Sequence, residues 1–276
     1  MVPITTPGPK ERYVSDTVAR VRGRTLTILD SLGLFFGFVG EVLRGFFRPP
    51  FHWREAIDQG WQLARVVIVP TALVSIPLGA VVALQVGSLT QQLGAQSFAG
   101  AASVVSILRE GAPLATALLL AGAGGSAICA DFGSRMIREE IDALRTLGVN
   151  VITRLVVPRV AAAMAVAVLL TGLVMGVGIG GGYFFNVVLQ HGTSGVYVES
   201  FRALATRPDL YASLLKGLVF GAIAAVVGSY KGLHVKGGPK GVGQAVNESV
   251  VVTFLLLFGA NYLMSVAYFQ LYPQGG

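Results

Sequence analysis

Charge is what this sequence has least of. Only 13% of its 276 residues are Asp, Glu, Lys or Arg, against about a quarter in an ordinary soluble domain, while 53% are hydrophobic and the mean hydropathy is +0.68. That balance excludes a water-soluble globular domain and predicts an integral membrane protein. Cysteine is almost absent too. The single Cys129 excludes an internal disulfide, and its apolar neighbours suit a packed small residue better than a reactive thiol. The three histidines, His52, His191 and His234, fall in separate parts of the expected topology and form no metal set. No Ser/His/Asp arrangement shares one membrane depth, so neither a catalytic nor a metal site is expected. The opening MVPITTPGPKERY has no apolar h-region, so no cleaved signal is expected. In so apolar a chain the formal charge of +7 points to loops facing anionic lipid, with no nucleic acid as partner.

Long hydrophobic runs are what the sequence has in abundance. Residues 1–25 form a basic tail carrying Lys10, Arg12, Arg20, Arg22 and Arg24. Residues 26–65 read as an interfacial helix and the approach to the membrane. Asp30, Glu41 and Arg44 interrupt the apolar run there, and the uncharged stretch 31–40 is shorter than the roughly 20 residues that a span requires. Trp53 and Trp61 beside Arg54 and Arg65 mark a membrane boundary. Residues 66–276 then hold five predicted spans, at 66–90, 104–130, 155–190, 211–230 and 246–268. Pro70 and Pro77 lie inside the first. Of the 21 Lys and Arg, nine lie in residues 1–65, five between Asp131 and Arg159 and three between Lys231 and Lys240. The positive-inside rule therefore predicts a cytoplasmic N-terminus, five crossings and an external C-terminus. The overall expectation is an all-α integral membrane protein with an N-terminal interfacial amphipathic helix followed by five transmembrane helices.

The second span runs directly into a charged, helix-periodic segment, DFGSRMIREEIDALRTLGVN. At 100° per residue, Met136, Ile137, Ile141, Ala143, Leu144 and Leu147 share one side and Arg135, Arg138, Glu139, Asp142 and Arg145 the other, with Glu140 inside the apolar arc. Ser134 is placed to cap this helix and Gly148 to end it, giving a helix over 134–147. Two readings stay open from periodicity: a surface helix lying on its own protein or on lipid, or a docking helix for a partner outside the membrane. Other ionisable groups near the bilayer are Arg109 and Glu110, at the outer end of the second span, and Glu248, at the inner end of the fifth. Such groups either snorkel to the headgroups or form a charge pair facing a cavity or partner.

Two glycine-rich stretches invite a nucleotide reading and fail it. MGVGIGGGY has no preceding strand and reads as close helix packing. In GGPKGVG, Lys240 is followed by Gly241 where a P-loop needs Ser or Thr. The chain is therefore not expected to bind ATP.

The stretch REGAPLATALLLAGAGGSAICADFG…IREEIDALRTLGVNVITRLVVPRV resembles the signature of the MlaE/YrbE permeases, and GGPKGVGQAVNESVV resembles that family's second signature. Within the family, AICADFGSRMIREEIDAL and VKGGPKGVGQAVNE look most like the A-type YrbE subunits of actinobacterial Mce lipid transporters. The resemblance implies a permease subunit of an MCE-associated ABC transporter that moves lipids, such as fatty acids, phospholipids or sterols. It implies a second, B-type permease, a cytoplasmic ABC ATPase dimer holding ATP and Mg, and an external MCE protein hexamer as partners. It places a coupling helix on 134–147, with a characteristic glutamate at Glu139 and Arg135, Arg138, Glu140, Asp142 and Arg145 around it. The sequence departs from the family pattern at Gly111-Ala112-Pro113, where many members have Leu-Gly-Pro, and at Ala123, where many have Arg. Two other classes remain as alternatives: a membrane scaffold or receptor for MCE proteins, and a secondary transporter. The second is disfavoured by the five spans and the expectation of few buried charges.

Overall fold

The computed structural model describes residues 30, 32–48, 51–94, 98–189, 194–195, 198–199 and 207–272. The basic tail 1–25 and most of the loop 191–206 lie outside these. Among the described residues there is no strand. Helix α1 covers residues 32–46. Five helices are long and apolar enough to cross a membrane: α2 (Trp53–Gln92), α3 (Ala102–Ile137), α5 (Ile152–Val188), α6 (Arg207–Leu233) and α7 (Gly238–Leu271). Between α3 and α5 stands the short α4 (Glu140–Thr146).

All five predicted spans are present, and each helix is longer than its apolar run. A helix keeps its backbone hydrogen bonds whether or not lipid surrounds it, so hydropathy marks the membrane-embedded part and not the helix ends. The Trp-rich segment from Trp53 is thus the first part of α2 itself, and Pro70 and Pro77 lie inside α2 without ending it. The stretch 155–190 is one crossing, as its flanking charges require. MGVGIGGGY lies inside α5, with no strand before it.

Small residues decide how close the helices come. Between α2 and α5, Gly79 lies against the Gly178 backbone. Between α5 and α6, a Cβ at Gly221 would stand 2.6 Å from the Ala163 carbonyl oxygen. Helices in lipid gain from such close backbone approach because water supplies no force to press them together. Gly221→Leu should therefore pry α6 from α5 and destabilise the purified chain by about 3 kcal/mol, read as a shifted unfolding midpoint in denaturing detergent. An unchanged midpoint would refute this packing.

The main core joins α1, α2, α3, α5 and α6 through Phe38, Val42, Leu63, Phe132, Val157, Leu170 and Ala224, among others. Helix α1 is two-faced. Phe38 and Val42 are buried, with Phe38 edge-on to Tyr230, while Leu34, Phe36, Leu43 and Phe47 are exposed. Such a helix suits a position packed on the bundle with its other side toward lipid. Helix α7 is the least enclosed of the five spans and presents Leu255, Phe258, Tyr262 and Leu263 outward. Cys129 is fully buried, as its apolar setting suggests.

Candidate functional site

Three polar constellations stand out from this apolar frame. The first is the α3–α4 junction. The expected single helix over 134–147 is broken in two. Helix α3 continues to Ile137, past the predicted end of the second span near Ala130, and Glu139 then takes a left-handed conformation with φ 59° and ψ 13° before α4 begins. Ser134 is not an N-cap; within α3 its hydroxyl donates to the Asp131 carbonyl. Gly148, at φ +74°, follows α4 where the sequence places the stop, and its N–H donates to the Arg145 carbonyl.

The break changes which side chains face outward. Ile141 is fully buried, and Met136 and Leu144 pack partly against the core, but Ile137, Ala143 and Leu147 are exposed. Glu140 does not interrupt a buried face: it is exposed and paired with Arg138 at 2.8 Å. Arg145 pairs with Asp142 at 2.9 Å, and Arg135 with Asp131 at 3.2 Å. The structure thus gathers Arg138, Glu139, Glu140, Asp142 and Arg145 on one exposed charged turn, anchored by Ile141. Arg135 stays on α3, beside Asp131.

The second constellation lies near the opposite end of α3. A π-helical turn, Ile107–Gly111, carries Arg109 and Glu110. Such turns recur at functional sites. Arg109 Nε lies 2.6 Å from Asp209 Oδ1 of α6, and the same carboxylate accepts from the Tyr268 hydroxyl of α7. Glu110 Oε1 lies 2.8 Å from Lys216 Nζ of α6 and accepts from the Ser265 hydroxyl, while Asn261 donates to Oε2. Lys216 also donates to the Arg109 carbonyl and to Ser265. Asp209 and Lys216 are almost fully buried. Two acids and two bases thus join α3, α6 and α7 with no net charge.

One expectation is corrected: few buried charges were expected, yet Asp209, Lys216 and Arg159 are all buried. Glu248, expected at the other end of the spans from Arg109 and Glu110, pairs with Lys231 at 2.8 Å where α6 ends and α7 begins. Lys216 was missed, although a signal for it exists: it is a lone cation inside the apolar run YASLLKGLVFGAIAAVVGSY, and an intramembrane cation demands a partner.

The third constellation is on the side of α3 that leads into α4. Arg159, counted above as a loop cation, lies inside α5 and is buried. Its Nη2 lies 2.7 Å from Asp131 Oδ2, its Nε donates to Gln59 Oε1 of α2 at 2.9 Å, and its guanidinium stacks on Phe132 at 4.4 Å. It ties α2, α3 and α5 together. In GGPKGVG, Gly237 and Gly238 have positive φ and lead into α7. Among the described residues no group of His, Cys, Asp and Glu could hold a metal ion.

An exposed charged turn and a neutral charge cluster thus stand on one bundle of five membrane-length helices. Comparison with known proteins gives the family. Residues 56–267 match the family described as Permease MlaE. The probable ABC transporter permease protein slr1045 of Synechocystis is 33% identical over 239 residues, covering 85% of this chain and 89% of its own. A probable ABC transporter permease protein of Rickettsia bellii is 31% identical over 247 residues, covering 90% and 95%. The chloroplastic protein TRIGALACTOSYLDIACYLGLYCEROL 1 of Arabidopsis thaliana is 28% identical over 232 residues, covering 84% and 66%. With a family match across most of its length and relatives of this similarity, the chain belongs to the MlaE permease family.

Proposed function

We propose that this chain is the A-type permease subunit of an MCE-associated lipid transporter in the cytoplasmic membrane, with its N-terminus inside and C-terminus outside. Its partners are a B-type permease, a cytoplasmic ATPase dimer that holds ATP and Mg, and an MCE hexamer on the external side. The observation that carries the reading is α4: a short, exposed, charged helix on the chain between two spans, with one buried anchor, Ile141. Movement of a bound ATPase would pass through α4 into α3 and α5 and change the opening of an apolar cavity between the two permeases. The name of the Arabidopsis relative contains a galactolipid, which supports a lipid as cargo. The chain itself is non-catalytic in this reading.

The test is reconstitution. The chain with its partner permease and ATPase should move fluorescent lipid between liposomes and MCE acceptor only when ATP is hydrolysed, and the chain alone should hydrolyse none. ATPase capture without lipid movement would favour the scaffold reading. In the same liposomes, single cysteines at Leu93 or Val198 should label from the external side and one at Lys236 only from the other. External labelling at Lys236 would overturn the orientation.

A further inference from the structure

We propose that the cavity between α2, α3 and α5 binds the headgroup of a phospholipid from the cytoplasmic leaflet, a phosphodiester that carries a primary ammonium. The cavity holds about 180 Å³ and is lined by Gln59, Gln62, Val66, Asp131 and Arg159, among others. It lies beside Trp61 and Arg65, which stack at 5.2 Å and mark headgroup depth on α2.

The chemistry of the lining selects the ligand. Arg159 is only 6% exposed, and three of its contacts use Nε and Nη2. Its Nη1 is buried and has no hydrogen-bond partner among the described residues. A buried guanidinium donor calls for an acceptor, and a phosphate oxygen is the acceptor that guanidinium geometry matches best. Asp131 is partly exposed and, though paired with Arg159 and Arg135, has acceptor sites to spare on its two oxygens. Together with the Gln62 amide it suits a group that donates N–H bonds. A primary ammonium does so; a trimethylammonium carries no N–H and is bulkier.

A chain-length argument points the same way. Gln62, Val66, Val69, Leu73 and Ile76 follow the i, i+4, i+7 spacing of one helix face, and the four apolar members are 49–65% exposed. This stripe rises from the cavity along α2 and offers an acyl chain a continuous apolar track. Its assignment to the cytoplasmic leaflet rests on the proposed orientation; headgroup binding itself does not, because it is measured without nucleotide, partner or cargo movement.

The experiment uses the purified full chain, given equal amounts of phosphatidylethanolamine and phosphatidylcholine with matched acyl chains, and native mass spectrometry of the retained lipid. The ethanolamine lipid should be retained at least tenfold over the choline lipid. Arg159 variants disturb three helices at once, so the deciding variant is Gln62→Trp, which fills the exposed mouth and touches no ion pair. It should abolish the preference with helicity and unfolding midpoint unchanged. Equal retention of both lipids, or an unaltered preference in Gln62→Trp, overturns the proposal. Saturable binding of inorganic phosphate that displaces the lipid would assign the site to free phosphate and overturn it as a lipid site.

Discussion

Asp209→Ala is expected to destabilise the chain by about 3–5 kcal/mol, the usual cost of removing one partner from a buried ion pair. Asp209 is 1% exposed and accepts from both Arg109 and Tyr268. Without it, Arg109 and Lys216 face only Glu110, and a net positive charge is left in a low-dielectric setting. The helices α6 and α7 should loosen together, since the hydrogen bond from Tyr268 to Asp209 that joins them is lost. The double variant Arg109→Met, Asp209→Leu removes the pair as a unit and should recover much of the loss, because an apolar replacement spares both desolvation costs. Unfolding in denaturing detergent reads both. A loss below about 0.5 kcal/mol for Asp209→Ala, the range of an ordinary surface change, would show that the cluster does not hold α6 and α7.

That cluster also shows where sequence reasoning stops. Five spans were legible because each needs an uninterrupted run that few soluble segments have, and the single crossing of α5 was legible from charge asymmetry alone. Arg109 and Asp209 are 100 positions apart, and no local period links them. Lys216 and Arg159 are single cations inside or beside apolar runs. Their isolation signals a partner without naming it, and Arg159 looked like loop charge only because the helix begins earlier than the apolar run. The α3–α4 break was invisible for another reason. Glu is a good helix former, so Arg138-Glu139-Glu140 reads as helix; tertiary anchoring of Ile141 overrides that local preference. The charged residues were therefore legible as one segment, while its division at Glu139, which leaves Arg135 on α3, was not.

The break at Glu139 allows the turn and the charge to be tested apart. A left-handed backbone costs a non-glycine residue about 1–2 kcal/mol, a cost that glycine does not bear. Glu139→Gly should therefore leave the chain as stable as before, or slightly more so, while removing the carboxylate. If that carboxylate meets a base on the ATPase, losing it costs about 2–5 kcal/mol of binding, which weakens capture well over tenfold. Glu139→Val should do more damage, because a branched side chain is strained at φ 59° and would also displace α4. Glu139→Lys should insert normally, fail to capture the ATPase and stop lipid movement, and a Lys or Arg→Glu change in the ATPase should restore part of it. Glu140→Lys loses its Arg138 partner, which is an exposed pair worth little, so its effect on folding should be small. Capture that survives Glu139→Gly but fails in Glu139→Val would assign docking to the shape of the turn and not to its charge. Capture and transport at wild-type levels in all three would mean that α4 is a surface helix with no partner at Glu139.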